Sequence, residues 1–128
     1  MAARQSFHPP GKPMHAKQPI PAATRVGNVI FSSAISGMDR STGQTPADAE
    51  TQIRNAFENV KATVEAAGAS IEAIGKVVVF LRDRDTREIV NKYWVAMFPD
   101  DHSRPVRHTV GAPANPDFAI QLEFIAVV

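Results

Sequence analysis

The sequence predicts an α+β fold in which two helices pack on one face of a mixed sheet, in the order β-β-α-β-α-β-β. Three observations predict it. Two stretches carry apolar residues at helical spacing. Short apolar, β-branched runs flank them. Proline, glycine and asparagine punctuate the boundaries between them. The 128 residues fit one domain, 1–128, with residues 1–22 as a proline-rich N-terminal arm.

The arm holds Pro9, Pro10, Pro13, Pro19 and Pro21, half of the ten prolines in the chain. Prolines force extended or turn conformations and cannot join a central ladder. The arm is expected to lie over the body, with a short edge strand near Gln5 to His8. The same prolines argue against an amphipathic transit helix, and no apolar stretch of the signal-peptide kind follows the first charges. The longest apolar runs, Val77–Leu81 and Phe124–Val128, fall far short of the roughly 18 residues that span a bilayer.

Ala23–Val26, Gly27-Asn28 and Val29–Ser36 read as a hairpin, because Gly-Asn is a two-residue turn signal. Gly37–Gly43 follows as a loop. Thr45-Pro46-Ala47-Asp48 reads as a helix start, with Thr45 as N-cap and Asp48 closing a capping box. Ile53, Ala56, Phe57, Val60, Val64 and Ala67 continue at helical spacing, and Gly68 ends the helix. Lys76–Leu81 is a strand with valines on both faces. Two helices can cover only one face of such a sheet, so the other is expected to pack on a further chain. Asp85-Thr86-Arg87-Glu88 reads as a second capped start. Ile89, Val90, Tyr93, Trp94, Met97 and Phe98 form the stripe of that helix, and Pro99 stops it. Pro105–Ala112 is a strand, Pro113–Asp117 a turn, and Phe118–Val127 the last strand.

Composition excludes several functions. The chain has no cysteine, which removes disulfides, thiol nucleophiles and thiolate metal sites, and matches a cytoplasmic setting. Net charge is +1 and no basic block exceeds two residues, so nucleic acid is not expected as a partner. His8, His15, His102 and His108 lack helical pairing and carboxylate company, so no metal site is expected. No phosphate-binding glycine loop or nucleophile elbow is present.

The unusual residue is Arg107, inside the strand Pro105-Val106-Arg107-His108-Thr109-Val110. Arginine grips planar anions with two parallel hydrogen bonds. Alternation sends Arg107 and Thr109 to one face and Val106, His108 and Val110 to the other. On pattern alone, an arginine snorkelling to solvent at a strand end stays an open reading. Gln121 and Glu123 share a face of the last strand and are either a solvated row or a cleft lining. Beside the Arg107 strand, Gln121 is in reach of a ligand or a water. Asn91 falls off the main stripe of the second helix, the ordinary position of an exposed residue.

These residues together resemble the RidA (YjgF) family over roughly residues 19–128. The resemblance is carried by Arg25 through Ser33, Thr42-Gly43, Gln52 through Val60, Glu65 through Ser70 and Lys76 through Leu81. Val90-Asn91, Phe98, Arg104-Pro105-Val106-Arg107 and Gln121 through Val127 complete it. It implies a chorismate-mutase-like fold, a homotrimer with clefts between subunits, and hydrolysis of reactive imines and enamines to keto acids and ammonia without a cofactor. It also implies that Arg107 grips a substrate carboxylate, that Ser33 and Asn91 line the cleft, and that the Thr109 carbonyl orients a water. The family's cleft tyrosine is replaced by Ile20. Its water-orienting glutamate is replaced by Gln121, and its second glutamate on that strand is retained as Glu123. The arm and the Ser103–His108 segment are similar to a divergent branch that includes 2-aminomuconate deaminases. RNA cleavage, attached to some relatives, finds no support in the charge pattern. A non-catalytic carboxylate-binding trimer is the competing expectation.

Overall fold

The computed structural model describes residues 3–128. Seven strands form one sheet: β1 (Gln5–Phe7), β2 (Ala23–Val26), β3 (Val29–Ser32), β4 (Ile35–Ser36), β5 (Ile74–Leu81), β6 (Val106–Val110) and β7 (Ile120–Val127). Two helices, α1 (Ala49–Ala66) and α2 (Arg87–Met97), complete the α+β fold. The lateral order is β1-β2-β3-β7-β5-β6, with β4 continuing beside β7. Every pairing is antiparallel except β5 with β6, which run parallel and are joined through α2.

Alternation decides what each face does. Ile120, Leu122, Phe124 and Ala126 of β7 are buried, as are Val77, Val79 and Leu81 of β5. They meet Ile53, Phe57, Val60 and Val64 of α1 and Val90, Trp94 and Phe98 at α2 in one core. Among the described residues the opposite face carries no helix. Phe31, Val106, Ile125 and Val127 remain 44%, 65%, 39% and 53% exposed.

Gly27 takes φ +58° in the two-residue turn between β2 and β3, a backbone conformation that side chains disfavour. The predicted strand Val29–Ser36 is in fact two strands. At the break the Ser32 hydroxyl accepts a hydrogen bond from the Phe124 backbone N–H at 2.8 Å, replacing a ladder bond.

Two helix starts differ from expectation. The N-cap of α1 is Asp48, whose carboxylate accepts from the Thr51 backbone N–H at 2.9 Å. Thr45 and Pro46 stay outside the helix, where the buried Gln52 amide donates to the Pro46 carbonyl at 2.8 Å. At α2, Thr86 makes no side-chain capping bond, because a short 3-10 turn, Arg84–Thr86, precedes the helix. Its cap is Asp83, which accepts from the Asp85 N–H at 2.9 Å. The end of α1 is as expected: Gly68 has φ +89°, and the N–H groups of Gly68 and Ala69 bond back to Glu65 and Val64.

The arm adds β1 to the outer edge of β2. It is fastened by Arg40, which donates to the Pro10 carbonyl at 2.6 Å and to Asn59 Oδ1 at 2.8 Å, and accepts from the Lys12 N–H at 2.7 Å. Among the described residues no helix is long and apolar enough to cross a membrane.

Candidate active site

Arg107 stands on β6, the strand at the free edge of the sheet. Its register partner on β5 is Val77, which is buried against the helices, so Arg107 projects to the helix side. There it meets α2. Arg107 Nη2 donates to Asn91 Oδ1 at 2.8 Å, and the guanidinium carbon lies 5.0 Å from the centre of the Trp94 ring. Asn91 and Trp94 are three residues apart and share a side of the helix. Trp94 is itself held edge-on by Phe98 at 4.8 Å.

The guanidinium is half-buried, and among the described residues its remaining N–H groups have no protein acceptor. Burial first, and the charge of Arg87 second, hold its pKa below the usual arginine value. An arginine nevertheless stays charged at any physiological pH. A planar cation with idle donors, pre-set by an amide and an aromatic face, is suited to a carboxylate. Thr109, two residues further on the same face of β6, is exposed.

The other expected site residues lie elsewhere in the same chain. Ser33 sits just past β3, and its hydroxyl donates to the Pro21 carbonyl at 2.6 Å. Ile20 is exposed at the end of the arm. β7 and β5 separate β3 from β6, a lateral distance of about 14 Å at ordinary strand spacing. Gln121 is not on the strand beside Arg107. β5 lies between, and Gln121 pairs with Phe80 of β5 and Ser36 of β4. Its side chain and that of Glu123 project to the open face, away from Arg107. Glu123 is half-buried in a shallow hollow with Phe31, Lys76, Val78 and Ile125. His108 is exposed on the same open face. One chain thus brings together Arg107, Asn91 and Thr109 at one edge, and Ser33 and Ile20 at the far side of β7. Among the described residues no three side chains of the metal-binding kinds gather.

Trp94 is the site residue that the sequence reading left in the core stripe. The available signal was its spacing of three from Asn91.

The fold and this edge define a class: a small α+β chain with helices on one sheet face and a half-buried arginine at the sheet edge. A family model described as endoribonuclease L-PSP matches residues 12–128, and the chain belongs to this family, which includes the YjgF and RidA proteins. The 2-iminobutanoate/2-iminopropanoate deaminase of Escherichia coli (strain K12) is 38% identical over 104 residues, 80% of this chain and 81% of that protein. A RutC family protein of Pasteurella multocida (strain Pm70) is 36% identical over 112 residues, 85% of this chain and 87% of that one. Among solved structures, the E. coli YjgF gene product has a TM-score of 0.84 at 34% identity, covering 96% of this chain and 98% of that one. E. coli TdcF with bound serine has a TM-score of 0.83 at 31% identity, covering 97% and 98%.

Proposed function

We propose that this chain is a deaminase that hydrolyses the C=N bond of a small carboxylate-bearing imine, or of the imine tautomer of an enamine. The reaction takes place in clefts between three copies of the chain. The observation that carries this reading is the Arg107 guanidinium, steered by Asn91, stacked on Trp94 and left with idle donors. The relative named as an imine deaminase points to the same chemistry.

The chemistry asks little of a protein. Arg107 holds the substrate carboxylate through charged hydrogen bonds, each worth about 1.5–3 kcal/mol. Water adds to the carbon of the protonated imine, giving a carbinolamine. Proton transfer to its nitrogen and loss of ammonia leave the keto acid. Fixing the imine against an oriented water lowers the entropic part of the barrier. The Thr109 carbonyl and the Gln121 amide oxygen are the water's acceptors in this scheme. Gln121 orients but takes no proton, so the attacking water loses its proton to solvent.

The split geometry supports the assembly. Arg107 with Asn91 from one copy, and Ser33, Ile20 and Gln121 from the next, make one cleft when copies meet. Glu123 borders it from the open face. Large apolar side chains on that face supply the contact surface.

The test is ammonia release from enamines generated in situ. Wild type is expected to exceed the uncatalysed rate, and Arg107→Ala to return to it. Gln121→Glu is expected to raise the rate about tenfold or more, by adding a proton acceptor. The second reading, a carboxylate-binding protein without turnover, is favoured by Gln121 itself. It prevails if wild type binds keto acids yet releases no ammonia above background.

A further inference from the structure

The edge that holds Arg107 carries a second cation with no role in the scheme above. Because α2 joins the parallel strands β5 and β6, it runs antiparallel to both. Moving along β6 from Arg107 to Thr109 is a step of about 6.6 Å. Moving back along α2 from Asn91 to Arg87 is a step of about 6 Å. Asn91 is bonded to Arg107, so Arg87 comes level with Thr109 on the same side of the sheet. Residues 87, 91 and 94 share one helix stripe at spacings of four and three, and the other two members both touch Arg107.

Arg87 is poorly placed for stability. It is the first residue of α2, where the helix dipole disfavours a cation. Its charge also acts on the Arg107 guanidinium. Among the described residues neither arginine forms a salt bridge. Glu88 is adjacent in sequence and so faces another way. Two cations without ion-pair partners among the described residues, with Arg87 one helical turn before the Asn91 that bonds Arg107, form beside an exposed threonine an arrangement that an elongated dianion would relieve.

We propose that Arg87 is a specificity-determining residue: it receives the second anionic group of a substrate whose first carboxylate sits on Arg107, so that the site selects dicarboxylates over monocarboxylates. This rests on Arg107 being the carboxylate-holding residue. Arg87 is exposed, so its contribution is screened by salt.

The test is titration calorimetry at low salt with two stable keto acids, pyruvate with one carboxylate and 2-oxoglutarate with two. Wild type is expected to favour 2-oxoglutarate on the order of tenfold, the size of one added charged contact, and less so at high salt. Arg87→Gln is expected to bring the ratio close to one by weakening 2-oxoglutarate more than pyruvate. A wild type without that preference, or an Arg87→Gln variant that keeps it, overturns the role of Arg87. An Arg107→Ala variant that binds both acids as tightly as wild type overturns the underlying reading instead. A wild type that binds neither overturns both.

Discussion

At Arg107 water competes with two protein groups for one guanidinium. A cation over an aromatic face gains about 0.5–2 kcal/mol, and a charged hydrogen bond about 1.5–3. Together these rival the roughly 2 kcal/mol of rotamer entropy that a free arginine side chain retains. The side chain is therefore oriented before any ligand arrives. Asn91→Leu keeps the bulk and removes the steering bond. Keto-acid affinity is expected to fall by about tenfold, with a change in Tm of no more than about 2 °C because Asn91 is not in the core; calorimetry and a thermal melt check the two. Alternation in the sequence separates Arg107 from His108. It does not say which side faces the helices. That followed only from pairing with buried Val77, a non-local fact. Gln121 shows the same limit: its face was legible, whereas the strand beside it depended on β5 entering between β6 and β7.

Among the elements, α1 shows how two capping signals overlap. Thr45 and Asp48 are three residues apart, as are Asp48 and Thr51, so spacing alone supports either start. The bonds of the Gln52 amide to the Pro46 carbonyl and, across the chain, to the Asp117 carbonyl hold the preceding segment out of the helix. The Asp48 carboxyl lies below its ordinary value of 3.8, owing first to the Thr51 hydroxyl and then to the Thr51 backbone N–H. Its folded-state value is depressed, so its stabilisation is complete above pH 3.8 and lost as pH falls through the lowered value. Asp48→Ala is expected to lower Tm by a few degrees at pH 7. Melts in increasingly acid buffer should show the gap to wild type closing below pH 3.8. The break between β3 and β4 had a signal too. Ile30 and Ile35 are both apolar and an odd number of residues apart, which no regular strand can bury on one face.

For the whole molecule, the helix layer and the apolar open face were both legible, because valines on both sides of β5 outnumber what two helices can cover. Alternation within one chain does not say what covers that face, and within one chain Ser33 and Arg107 stand apart, with β7 and β5 between their strands. Light scattering on wild type is expected to give the mass of three copies. Phe31→Asp, on the open face, is expected to give the mass of one while circular dichroism stays unchanged, since Phe31 lies outside the core cluster. A variant that stays at three copies would place the contact on another surface.

The two margins of the sheet add a constraint of a different kind. β1 is three residues long and is followed by Pro9 and Pro10, while β6 is five residues long and is preceded by Pro105. A strand needs a row of free N–H groups to recruit another, and prolines interrupt that row at both borders. Addition of a further strand is therefore disfavoured at each end, and the arm that Arg40 fastens forms one of the two margins.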